Sequence, residues 1–133
     1  MIFDMKKLFF AAVMAVVMSA CSKPYVIIQV ADAQLGFTAS DRCIAEGREF
    51  DGDVSYEVGY LKKAVTMIND IRPDAVVFTG DQVHHAASST EWSAFKRAVA
   101  KIDKDVKVFY IPGNHDIIVW GGEKGNKMIG GES

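Results

Sequence analysis

Val106-Lys107-Val108-Phe109-Tyr110-Ile111-Pro112-Gly113-Asn114-His115-Asp116 reads as a strand that ends abruptly in a polar cluster. Apart from Lys107, the first six residues are β-branched, aromatic or apolar, and Pro112-Gly113 breaks the run. The same arrangement occurs twice earlier. Tyr25-Val26-Ile27-Ile28-Gln29-Val30 precedes Asp32-Ala33-Gln34, and Ala75-Val76-Val77-Phe78-Thr79 precedes Gly80-Asp81. Nearly continuous apolar runs of this length are expected of strands buried on both faces of a parallel sheet. Ligands of an open α/β sheet bind beyond the carboxyl ends of its strands, so polar clusters at three such ends can converge on one crevice.

The segments between these runs supply the connections. Val58, Leu61, Val65 and Ile68 recur at helical spacing within Val54 to Ile71, with Lys62, Lys63 and Asp70 on the wet side. Arg72-Pro73-Asp74 stops that helix, because proline disfavours helical geometry in the residue before it. Ser88, Ser89 and Thr90 are candidate N-caps for a second helix, whose Trp92, Phe95, Val99 and Ile102 share one apolar face. Asp103 to Asp105 form a turn. Asp32 to Asp53, polar and glycine-containing, reads as a long loop over the end of the first strand. The expected order is βαβαβ with right-handed crossovers. Beyond Ile117-Ile118-Val119-Trp120 the chain is glycine-rich and aperiodic.

Composition bounds the rest. The 133 residues, 50% hydrophobic and 24% charged, suit one globular domain, and neither disorder nor low complexity fits. A net charge of −2 and a pI near 5.9 leave no basic stripe, so nucleic acid is not expected as a partner. Lys6 and Lys7 precede an apolar stretch from Leu8 to Met18, too short to span a bilayer and suited to a secretory signal. Met18-Ser19-Ala20-Cys21 follows, a pattern similar to a bacterial lipobox. The expected organisation is a lipoprotein-type signal peptide over 1–20, a tether over 21–24 and a domain over 25–133. Acyl chains on Cys21 would hold the protein on a membrane of the bacterial cell envelope, facing the periplasm. A cleaved soluble signal or a buried thiol at Cys21 remain the alternatives. Met5-Lys6-Lys7 also reads as a natural start. With Cys21 acylated, Cys43 is the one remaining thiol and no intramolecular disulfide can form. Cys43 itself reads as an inert loop or packed residue.

Asp32 and Asp81 place carboxylates at the ends of two strands that the βαβ pattern makes neighbours, and hard divalent cations favour oxygen donors. Asn114 adds a neutral oxygen, and His115 an imidazole that could bind metal or donate a proton. Asp116 could orient that ring through a hydrogen bond. Two ions about 3.5 to 4 Å apart would acidify a bridging water and neutralise an in-line phosphoryl transition state, which points to hydrolysis of a phosphoric ester. Singly, a Gly-Asp after a strand is often only a turn. His84 and His85 cannot both face one site on an extended segment, and His84 is favoured as a contact to a metal ligand or to phosphate over a solvated loop residue. No role is assigned to His85. No Gly-x-Gly-x-x-Gly or Gly-Lys-Ser/Thr loop follows the first strand, which argues against a nucleotide-binding module.

These motifs resemble those of the calcineurin-like metallophosphoesterase superfamily: Asp-x-His, Gly-Asp-x-x and Gly-Asn-His-Asp or Glu. The resemblance covers about Tyr25 to Asp116. It implies Asp32 as a carboxylate on the first metal, Asp81 as the bridging carboxylate and Asn114 on the second metal. It further implies His115 as the group assisting the leaving group or binding phosphate, and Asp116 as the motif's closing acid. Gln34 stands where the family commonly has a metal-binding histidine, and it reads either as a ligand or as a loop residue. The string from Ala31 to Phe37, with Gly80-Asp81-Gln82-Val83-His84, is most similar to the branch typified by the phosphatase named complete S-transactivated protein 1. The fold implied is the N-terminal βαβαβ half of a four-layer αββα sandwich, with two divalent ions among manganese, iron, zinc and magnesium. No histidine follows His115, so the family's later histidine motifs are missing, and the domain is expected to be truncated at its C-terminus with an exposed sheet face. The expected activity is metal-dependent hydrolysis of a phosphorylated substrate by an exported, lipid-anchored protein. The alternative is a non-catalytic lipoprotein with at most a partial metal site.

Overall fold

Three parallel strands, β1 (Ile27–Val30), β2 (Ala75–Thr79) and β3 (Lys107–Ile111), pair side by side in the order β1-β2-β3 in the computed structural model. The structure describes residues 23–119 and 127–128; the signal and lipobox segment and most of the glycine-rich tail lie outside them. Ile28 lies opposite Val76, and Val76 opposite Val108, so the register aligns all three carboxyl ends. Asp74 pins the opposite end of the sheet, its Oδ2 accepting a hydrogen bond from Val26 N at 2.8 Å.

The connecting helices are α1 (Phe37–Ala45), α2 (Ser55–Ile71) and α3 (Ser89–Val99). Leu61, Val65 and Ile68 form the buried stripe of α2, and Ala94, Phe95 and Ala98 that of α3. The two helices pack against each other and cover the sheet face that carries Val76 and Phe78. Phe78 meets Phe95 edge to face with ring centroids 5.3 Å apart. Removing such a side chain, as in Phe95→Ala, typically costs about 3–5 kcal/mol through lost burial and the cavity left behind. Arg72 ends α2 in the left-handed region at φ 51°, its N–H donating to Ile68 O, and Pro73 prevents continuation. Ser88 caps α3, its Oγ accepting from Glu91 N.

The βαβαβ order, the two long helices and the capping serine agree with the sequence reading. Two expectations are corrected. The stretch from Asp32 to Asp53 is not all loop, because α1 occupies Phe37–Ala45 within it and buries Ala39, Ser40 and Cys43. Its start is capped from another element: Glu57 on α2 accepts from Thr38 N at 2.8 Å and from Gly36 N at 3.4 Å. Nor are the strands buried on both faces as their apolar runs suggest, although an exposed sheet face is expected from the missing later motifs. Alternate residues point to opposite sides of a sheet, and the face opposite the helices leaves Ile27 58% and Phe109 53% exposed. Cys43 is packed, at 1% exposure. After β3 the chain makes a single helical turn, α4 (Asn114–Ile117), and then β4 (Ile118–Val119), which pairs antiparallel with β5 (Lys127–Met128). Among the described residues, no helix is long and apolar enough to cross a membrane.

Candidate metal and phosphate site

At the carboxyl ends of the strands the backbone turns through unusual conformations. Asp32 (φ 51°), Gln34 (φ 38°) and Asp81 (φ 48°) all sit in the left-handed region without being glycine. Aspartate tolerates that region better than most residues, but such positions still cost free energy and concentrate at functional sites. Hydrogen bonds from the neighbouring loops hold them there. Asp32 N donates to Gly80 O at 3.3 Å, Gln34 N to Asp81 O at 2.8 Å and Leu35 N to Gln82 O at 3.2 Å. The segment after β1 therefore runs beside the segment after β2, with Leu35 bridged parallel to Val83.

The third loop joins them from the other side. Gly80 N donates to Ile111 O at 2.8 Å, and His115 N donates to Asp81 Oδ1 at 2.9 Å. Gly113 allows this approach: a Cβ there would overlap Asp81 Oδ1 and N. The structure thus brings together the loops bearing Asp32, Gln34, Asp81, Asn114 and His115, residues spread over more than eighty positions of sequence. Asn114 is exposed on the first turn of α4.

Asp116 accepts from backbone N–H groups of two loops. It is 6% exposed, and its Oδ1 accepts from Gln82 N at 2.8 Å and Val83 N at 3.1 Å. Its Oδ2 accepts from Gly113 N at 2.8 Å. The carboxylate is a buried clamp between the second and third loops. The His115 ring meets a carbonyl, with Nδ1 lying 2.8 Å from His84 O. A carbonyl can only accept, so Nδ1 carries the proton in this arrangement.

His84 stacks on His115 with centroids 4.9 Å apart and an interplanar angle of 21°, and meets Phe37 and His85 edge to face. Burial, and then the neighbouring His85 and His115 rings, holds its imidazole below the ordinary histidine range. Its Nδ1 is buried with no hydrogen-bond partner among the described residues. An orphaned nitrogen of this kind is one that a bound ligand or water would satisfy.

Two features were missed in the sequence. His85, to which no role was given, places Nδ1 2.7 Å from Glu91 Oε1, and Glu91 is completely buried. Ser88-x-x-Glu91 does carry the signature of a capping box. The Glu91 side chain, however, reaches the backbone of His84 and His85, outside the helix it begins.

The donor set suits a hard divalent cation: carboxylates at Asp32 and Asp81 and amide oxygens at Gln34 and Asn114. Among the described residues, no three His, Cys, Asp or Glu side chains are grouped so that they could hold a metal ion, so the two amides would have to take part. The profile of one family, calcineurin-like phosphoesterase, matches residues 25–131. No curated protein matches the chain.

Proposed function

The chain belongs to the calcineurin-like phosphoesterase family, and from that premise we propose that it hydrolyses a phosphoric ester at the carboxyl ends of β1, β2 and β3 with two divalent metal ions. Asp32, Asp81 and Asn114 would hold the metals, and Gln34 would serve as a weaker, uncharged ligand. The similarity of the Ala31 to Phe37 string to the complete S-transactivated protein 1 branch supports Gln34 in that place. The bound ions would supply charge neutralisation at the phosphoryl group and acidification of a water.

The protein's own groups do the rest. His115, with its proton on Nδ1 directed at the His84 carbonyl, would turn Nε2 towards a phosphate oxygen or the leaving group. His115 N on Asp81 Oδ1 fixes the spacing between that ring and the metal-binding carboxylate. His84, stacked on His115 and with an Nδ1 that has no partner among the described residues, would line the phosphate side.

The observation that carries this reading is the hydrogen-bonded closure of the three loops around Asp81, together with the left-handed backbone at Asp32, Gln34 and Asp81. Manganese-dependent release of nitrophenol from aryl phosphate mono- and diesters tests it. Asp81→Asn and His115→Ala should each reduce turnover by about 10²-fold or more. Unchanged rates in both variants would sink the assignment. We further propose export and lipid anchoring at Cys21, supported by the Lys6-Lys7, apolar stretch and lipobox-like series. Cys21→Ser should shift the protein from the membrane to the soluble fraction, and continued membrane residence would refute the anchor.

A further inference from the structure

A carboxylate removed completely from water is heavily penalised unless donors surround it. Glu91, 0% exposed, finds its donors in one short segment. Its Oε2 accepts from His84 N at 2.9 Å and His85 N at 2.7 Å, and its Oε1 lies 2.7 Å from His85 Nδ1. Gly36 closes the other side, since a Cβ there would come within 2.6 Å of Glu91 Oε1. Glu91 is therefore seated tightly against both the first and second loops.

The N–H of His85 and the C=O of His84 belong to one planar peptide unit. Glu91 holds the N–H end of that unit, and His115 Nδ1 lies 2.8 Å from its carbonyl end. A carboxylate on the N–H polarises the unit and makes its carbonyl a stronger acceptor. We propose that Glu91 is a positioning residue for His115, acting through the 84–85 peptide to fix the orientation and tautomer of that ring. This rests on the phosphoesterase reading for its effect on turnover, while its effect on the ring is independent of that reading.

Two measurements on the full chain test it. Nitrogen-15 NMR of the histidine rings in the wild-type protein should show neutral His115 protonated at Nδ1, and Glu91→Gln should weaken that signature. A His115 ring protonated at Nε2 would overturn the proposal, with no variant needed. In steady-state kinetics with manganese, Glu91→Gln should lower kcat by about 10–100-fold, the range seen when groups orienting a functional histidine are removed, with KM little changed. In a His115→Ala background the same substitution should cost nothing further. An equal loss in both backgrounds would mean that Glu91 only supports the fold, and would overturn the proposal. The expected ring signature without metal-dependent turnover in the wild-type chain would uphold the positioning role and refute the phosphoesterase reading.

Discussion

Asp81 shows how neighbours fix the geometry of a single residue. Its left-handed backbone, the His115 amide on its Oδ1 and the missing Cβ of Gly113 together fix the carboxylate between the second and third loops. Asp116, one position beyond His115, is used differently. Its two oxygens receive three backbone N–H groups, which an asparagine cannot match because one end of the amide is itself a donor. Asp116→Asn should destabilise the fold by about 1–3 kcal/mol, the usual cost of leaving buried donors unsatisfied, read as a lower midpoint in urea unfolding. Asp81→Asn should leave that midpoint nearly unchanged while removing metal-dependent turnover. The placement of Asp81 and His115 beyond strand ends was legible because they follow strand-like runs. The clamping role of Asp116 was not, because it depends on where Gln82 and Val83 lie, thirty-odd positions away.

At the scale of elements, α1 is the instructive case. Its own sequence offers no side-chain cap, Gly36 entering at φ 97°, and so it reads as loop. Glu57, from α2, supplies the missing acceptor to Gly36 N and Thr38 N. Burial alone would raise the Glu57 pKa, but the hydrogen bonds from Thr38 and Gly36 outweigh it and hold the carboxyl below its ordinary value of 4.5. A folded-state pKa below the unfolded one stabilises above the unfolded value and is lost as pH falls through the folded value. The hydrogen-exchange protection of the Thr38 amide should therefore fall as pH drops below about 4.5. In Glu57→Gln, protection should be low throughout and flat across the same range. An unchanged wild-type profile would show that Glu57 is not the cap.

At the scale of the whole molecule, the described residues present one covered sheet face and one open one. Ile27, Phe109 and Ile111, each more than half exposed, lie on the face away from α2 and α3. Contiguous apolar surface of this kind binds hydrophobic dyes and promotes association. Phe109→Ser combined with Ile111→Ser should lower dye fluorescence markedly without moving the unfolding midpoint by more than about 1 kcal/mol, since both side chains are already wet. A large loss of stability would show that this face is packed in solution. The amino-acid sequence by itself determined the parallel βαβαβ order, the helix faces and the three strand-end clusters, because hydrophobic periodicity and proline or glycine breaks act over a few residues. Only the tertiary structure decided that α1 exists, that Asp116 clamps loops and that a buried Glu91 stands behind His115. Each of those depends on a carboxylate meeting backbone N–H groups from a different segment, and hydrogen bonds across such distances leave no periodic trace in the chain.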